Sequence, residues 1–259
     1  MTFNRWVLDT FTTWELGLVL VGACGVVAFG GHLFARRFVE RVENRVVSTA
    51  FGIVTGLFSF VLAFTIGQLY VNFTSAATNV DNEATALSQL VRSADYLGGP
   101  EGKATSRFAL AYAKTVETQE WNLMRKGEAS PEAWRLVDEM YGELSRYTPK
   151  TPAESAFYGQ AISQLQTLVD ARRTRLDEAN ETVPGAFEVM LAIGAVLALL
   201  TTLNFKPADD RLQLLMIGAA SILVGTALLV ALSLDAPFSG EIAVSKAPFT
   251  QITLAQLDR

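Results

Sequence analysis

The chain has 259 residues, half of them hydrophobic, and a formal net charge of −5. The acidic balance excludes a nucleic-acid surface, which calls for a basic patch. One cysteine and one histidine exclude an intrachain disulfide, and leave no room for a zinc site or a histidine-based triad.

Four apolar spans stand out, at roughly 16–34, 50–70, 185–204 and 212–232, each close to the ~20 residues that cross ~30 Å of hydrocarbon as a helix. The expected fold is therefore all-α: four transmembrane helices with an inserted extracytoplasmic helical bundle continuous with the second and third. The boundaries read as a first transmembrane pair over 1–73, a soluble bundle over 74–183, a second pair over 184–234 and a tail over 235–259.

The first span contains Cys24. The string VGAC at 21–24 faintly resembles a lipoprotein processing site. Its leader, however, has Arg5 as its only basic residue together with Asp9 and Glu15, and the apolar run continues to Phe34. Cys24 thus reads as a small buried residue of a retained helix. Glu15 at the edge of this span, Glu188 one turn into the third, and His32 at the other edge read first as interfacial side chains; the alternatives are a cation-attracting ring for the two carboxylates and a proton switch for the histidine.

Orientation follows from loop charge. Arg36, Arg37, Arg41 and Arg45 lie in one short loop, Lys206 and Arg211 in the other. Basic residues in short loops stay cytoplasmic, which makes this a multi-pass cell-membrane protein with both termini and 74–183 extracytoplasmic. Arg172, Arg173 and Arg175 belong to a long loop, where that rule loses force.

No glycine or proline interrupts 68–97, so the second membrane helix is expected to continue well beyond the bilayer, roughly 75 Å from Ser48 to Leu97 at 1.5 Å per residue. Steps of three and four along it isolate one seam. Phe51, Val54, Phe58 and Val61 are apolar; Thr65, Gln68, Asn72, Ser75 and Asn79 continue it as polar, uncharged positions. Copies of this helix around an axis would make an apolar neck and a hydrated vestibule, since hydrophobic constrictions gate by dewetting. The same residues could instead fill a bundle core, with amides joining helices. Leu62, Ile66, Leu69, Phe73, Ala76 and Val80 form a separate packing face. Gly52, Gly56, Ser59, Ala63 and Gly67 form a stripe suited to close helix packing, within or between subunits.

Beyond the GGPEG break at 98–102, a helix at about 103–126 places Phe108, Tyr112, Val116 and Leu123 on one side. Ser130 and Pro131 start the next helix, which is expected to bury Trp134, Val137, Tyr141 and Leu144. Thr151, Pro152 and Glu154 form a capping box for a last helix running to about 181. Its apolar stripe, Ile162, Leu165, Val169 and Leu176, contains Arg172. A buried guanidinium needs a partner, and Glu83 is the candidate; the other reading leaves Arg172 exposed with its stem over the stripe.

After the fourth span, LDAPFSG at 234–240 reads as a structural corner. Pro237 fixes φ, Gly240 permits a turn closed to other residues, and Asp235 accepts from turn amides. In the tail, Ser245 and Pro248 can start a short helix presenting Phe249, Ile252 and Leu257, packed on the domain or at the membrane surface. The segment 74–183 carries 12 Lys and Arg against 16 Asp and Glu. No phosphate loop, HExxH or nucleophile elbow occurs. An enzyme is not expected, nor a cofactor or metal.

Four strings, NEATAL at 82–87, EWNLM at 120–124, ARRTRL at 171–176 and LDAPFSGEI at 234–242, together resemble the bestrophin-like domain family of unknown function along nearly the whole chain. The resemblance implies a distant relation to bestrophin anion channels, which are pentamers whose second membrane helix lines an apolar, aromatic neck. Phe51, Val54, Phe58 and Val61 would occupy a comparable role. Two departures stand against a full transfer. The soluble domain is expected outside rather than in the cytosol, and no acidic calcium-binding loop is apparent. The reading is a homo-oligomeric channel or pore for small ions in a lipid bilayer. The alternative is a non-conducting membrane sensor or scaffold that binds a partner through the extracytoplasmic domain.

Overall fold

The computed structural model describes residues 3–38, 45–181, 183–201 and 210–254, and every regular element among them is helical. In chain order these are α1 (Phe3–Thr10), α2 (Thr13–Phe38), α3 (Arg45–Leu97) and α4 (Gly99–Thr115). A π-helical turn (Val116–Glu120) leads into α5 (Trp121–Met124). Then come α6 (Pro131–Arg146), α7 (Pro152–Asn180), α8 (Gly185–Thr201), α9 (Asp210–Asp235) and α10 (Ala247–Leu254). Arg41, Lys206, Leu257 and the end of the third expected span at 202–204 lie outside the described residues.

Three helices carry stretches long and apolar enough to cross a membrane: Thr13–Phe34, Phe51–Leu97 and Arg211–Asp235. At 17 residues, α8 is about 25 Å long and falls slightly short alone. A fourth span is reached only when α8 is taken together with α7.

The chain divides into two compact units, and the 53-residue α3 contributes to both. One unit gathers the apolar helices, residues 2–72 with Thr182–Ile242. In it, α2 packs on α8 and α9. Cys24, Ala28, Leu199 and Ile217 form one buried cluster, and Phe58, Leu62, Leu191, Ala195 and Ala198 another. Phe58 sits in the notch left by Gly194, where a Cβ would lie only 2.3 Å from the ring. Among the edge residues, Glu15 accepts from the Thr12 amide at 2.8 Å, His32 Nδ1 lies 3.0 Å from Gln213 Nε2, and exposed Glu188 accepts from Asn4 at 2.8 Å.

The 234–240 corner belongs to this unit, and residues 235–239 are all buried. Asp235 ends α9, but its carboxylate does not serve the turn amides. It accepts from the Val183 amide at 2.9 Å and from Asn4 Nδ2 at 3.1 Å, so it ties together three distant pieces of chain. The turn closes instead through Ser239 N donating to Ala236 O at 3.0 Å. Gly240 adopts φ 78°, and its amide donates to Asp9 at 3.2 Å.

The second unit comprises Phe73–Glu181 with the described residues from Ala243 onward. Gly98 and Gly99 both take positive φ, 64° and 67°, and reverse the chain between α3 and α4. Helix α4 therefore starts at Gly99, earlier than expected, with Pro100 in its first turn, a position that tolerates proline. Ser130 caps α6 by accepting from Ala133 N at 3.3 Å; Thr151 caps α7 by accepting from Glu154 N at 3.1 Å. Glu154 returns a bond to the Lys150 amide at 2.6 Å, one residue before the position a standard capping box would use.

The buried face of α6 is Ala133, Leu136, Val137, Met140 and Leu144, with Trp134 and Tyr141 half-buried at its edge rather than at its centre. Helix α10 packs on α4 and the π turn, with Phe249 wholly buried.

Removing the Asp235 carboxylate leaves the Val183 amide without its acceptor and Asn4 with Glu188 alone, a loss of about 1–3 kcal/mol. Asp235→Ala should therefore lower the melting temperature of the detergent-extracted protein. Glu241→Ala, which deletes only an exposed bond to the Thr13 amide, should leave it nearly unchanged.

Candidate pore helix and a buried ion cluster

Helix α3 places its side chains in three zones. Its buried side in the apolar-helix unit is Phe58, Leu62, Thr65 and Leu69, with Ile66 half-buried; further on come Ala76 and Val80, with Phe73 half-buried. This is the expected packing face at 62, 66, 69, 73, 76 and 80, with Phe58 and Thr65 added. Two residues of the expected neck-and-vestibule seam therefore turn inward. Phe58 packs on Leu191, Ala195 and Gly194 of α8, and Thr65 bonds back to Val61 O at 2.9 Å. The cause is the helical period: steps of three and four tolerate a seam displaced by about 100°, one residue, and α8 offers a notch only at Gly194.

The other seam positions lie at the boundary or outside. Phe51 and Val61 are half-buried; Val54, Gln68, Asn72 and Ser75 are exposed. Gln68 Nε2 donates to Asn72 Oδ1 at 3.1 Å along the helix. Ser75 and Asn79 donate to Glu178 Oε1 of α7 at 3.2 and 2.7 Å. One register further round runs a fully exposed line: Ile53, Leu57, Phe60 and Phe64, each about two-thirds exposed, continued by Gln68, Val71, Ser75, Thr78 and Asn82. It repeats the change from aromatic and aliphatic to mostly polar and uncharged, with Val71 the apolar exception. The small stripe, Gly52, Gly56, Ser59, Ala63 and Gly67, is also exposed, and a Cβ at any of its three glycines would meet nothing within 4 Å. Among the described residues, nothing lies against those three glycine positions.

The second unit is built around four charges with no exposure at all. Arg172 donates through Nε and Nη2 to both oxygens of Glu120, at 3.2 and 2.5 Å, and Nη2 also reaches Ser130 O at 3.1 Å. Arg175 grips Glu83 with Nε and Nη2 at 2.6 and 2.9 Å, and Nη2 reaches Glu120 at 2.8 Å. Tyr112 donates its hydroxyl to Glu83 at 2.6 Å, and the Ser130 amide donates to Glu120 at 3.0 Å. Arg172 also lies over the Trp134 ring at 4.2 Å, and Arg175 faces Trp121 and Phe249.

Arg172 is thus buried and paired, but with Glu120 rather than Glu83. Glu83 instead takes Arg175, three residues on and one turn away. The missed partners had a signal: Ala161, Leu165, Leu168, Arg172, Arg175 and Ala179 repeat in steps of four and three, and all are buried. Glu120 was hidden by the π turn, whose i→i+5 bonding changes the phase that sequence periodicity assumes.

Electrostatics match the geometry. Burial pushes the Glu120 carboxyl up, but hydrogen bonds from Arg172 and the two guanidinium charges outweigh it and hold it below the usual range. Burial, and then the Glu83 charge, push the Tyr112 hydroxyl well above its ordinary value. Burial alone would weaken Arg175 as a base, yet Glu83 more than reverses that. Among the described residues no group of three or more His, Cys, Asp or Glu is placed to hold a metal.

Residues 17–249 match the Bestrophin-like domain. The fold is similar to the crystal structure of a bacterial bestrophin homologue from Klebsiella pneumoniae, at 15% identity and a TM-score of 0.71, covering 93% of this chain and 96% of that one. A single-substitution variant of that homologue aligns at 14% identity and a TM-score of 0.70 over 95% and 98% of the two chains. A crystal structure described as a membrane protein, also a substituted form, gives 16% and 0.72 over 93% and 96%. Among curated proteins none matches in sequence.

Truncating one partner of the cluster strands a charge in the core, typically a loss of 3–5 kcal/mol. Arg172→Met and Glu120→Gln should each destabilise the domain on that scale, with Arg173→Met, whose side chain is exposed, within about 0.5 kcal/mol of wild type. Because the folded Glu120 titrates below its unfolded value of about 4.3, its contribution is complete above that pH and is lost as pH falls through the folded value. Thermal unfolding between about pH 2 and pH 5 should show this loss, and Glu120→Gln should flatten it.

Proposed function

The chain belongs to the bestrophin-like family, and on that premise we propose that it is a homo-oligomeric ion channel with α3 lining the pore. The observation that carries this reading is how α3 divides its circumference. One side is occupied by its own subunit, a second offers small residues with nothing against them, and a third exposes an apolar line that becomes polar further along. A helix in an inner ring needs these three surfaces: a back, a flank for its neighbour, and a front for the lumen. Small residues let neighbouring backbones approach closely, which is what association in lipid requires.

The neck is then Ile53, Leu57, Phe60 and Phe64, with Val54 and Val61 beside it, and the polar part is Gln68, Asn72, Ser75 and Asn82. Phe58 and Thr65 move to the supporting side. A narrow apolar segment resists wetting, while uncharged polar walls let an ion pass without trapping it. Pentameric assembly follows from the relation to bestrophins, as does the expectation of no enzymatic activity. Charge in the short loops supports four spans with both termini and the 74–183 domain outside the cytoplasm.

Reconstituted into liposomes, Leu57→Ser and Phe64→Ser should raise ion flux several-fold over wild type by making the neck wettable. Phe58→Ala should instead lower thermal stability by roughly 3–5 kcal/mol, through the cavity it leaves against α8, without opening a path. No flux from wild type or neck variants, with the oligomer intact, would move the reading to a non-conducting scaffold.

Orientation has a separate test. Glu128→Cys in a Cys24→Ala background should react with a membrane-impermeant maleimide in intact cells; reaction only after lysis would invert the topology.

A further inference from the structure

Helix α1 is fastened on one side and partly exposed on the other. Asn4 bonds Glu188 and Asp235, the Asp9 carboxylate takes the Gly240 amide, and Leu8 is buried with Leu16 and Ala236. On the outer side Trp6 and Phe11 meet edge to face at 6.3 Å, 49% and 40% exposed, and Trp14 on the first turn of α2 is 82% exposed. The same exposed strip continues as Leu18, Val19, Val26, Phe29 and Leu33 along the apolar stretch Thr13–Phe34.

Rings exposed to this degree leave apolar surface uncovered, and its removal from water is favourable. Their position at the end of a membrane-length apolar stretch says what covers them. Indoles combine an apolar body with a polar N–H and concentrate where acyl chains meet headgroups. The anchored side of α1 carries the Asn4 amide, the Asp9 carboxylate and the buried Arg5, whereas Trp6, Phe11 and Trp14 are uncharged.

We infer that α1 and the first turn of α2 lie in the headgroup–acyl boundary of a phospholipid bilayer, with Trp6, Phe11 and Trp14 against lipid. Helix α1 is thereby an interfacial strap that holds the 234–240 corner at the membrane surface. This depends on the chain spanning a membrane and not on its conducting ions.

The chain has four tryptophans. Trp121 is buried and Trp134 half-buried in the helical domain, so lipid-borne quenchers address Trp6 and Trp14 alone. Full-length protein is reconstituted in vesicles of phosphatidylcholine brominated at the 6,7 or the 11,12 positions. The expected result is a loss of roughly a third of the emission with the shallow bromines, and a smaller loss with the deep ones. Trp6→Phe with Trp14→Phe should abolish that loss. Should the double variant fail to assemble, Trp14→Phe alone should remove the larger share. Equal emission in brominated and plain lipid overturns the inference. So does quenching by aqueous iodide in place of bromolipid, which puts the rings in water, or resistance to both, which buries them against a second copy.

Discussion

The helical unit depends on a neutral set of four charges with no exposure to solvent. Glu83, Glu120, Arg172 and Arg175 come from three helical segments, and each finds its ionic partners only when the others are in place. Removing such groups from water costs several kcal/mol apiece, and their mutual attraction offsets that only with good geometry and added hydrogen bonds. The net gain in stability is consequently modest. The penalty for any other arrangement is not: a one-residue slip of α7 would turn both guanidinium groups by about 100° and leave two carboxylates unpaired in the core. The cluster acts as a registration device, with aromatic faces from Trp121, Trp134 and Phe249 closing its sides.

The π turn is part of the same device. In an α-helix, position 120 would drift about 40° past position 116, which lies on the buried side. The wider turn over Val116–Glu120 cancels that drift and brings Glu120 beneath Arg172 and Arg175. It also turns Glu117 toward α10, where it accepts from Thr250 at 3.0 Å through its side chain and from Lys246 at 3.3 Å through its carbonyl. One inserted residue therefore serves the interior and the C-terminal helix together.

Much of this was legible in the order of residues. Serine and threonine before proline marked the starts of α6 and α7, paired glycines marked the hairpin after α3, and uninterrupted helix formers marked the length of α3. What escaped depended on phase. On α3 the period of 3.6 let two neighbouring seams show the same change from apolar to polar, and only the notch in α8 decided between them. On α7 one arginine was seen and its twin, a turn later, was not, because charge obscured the four-three repeat. The Asp235 carboxylate reached residues 52 and 231 positions away, a distance over which local turn chemistry has nothing to say.

The contact between Phe58 and Gly194 reaches beyond packing. A single methyl at 194 would need more than 1 Å of separation that the present spacing does not provide, since carbon atoms rest about 3.5–4.0 Å apart. The atoms in the way belong to the Phe58 ring, so either the ring would turn within its cluster or α3 would withdraw from α8. If α3 lines a pore as proposed, the calibre of that bore would depend in part on a residue behind its wall. Relatives could then evolve wider or narrower passages while leaving the lining untouched, by trading hydrogen for methyl on the far side of the wall.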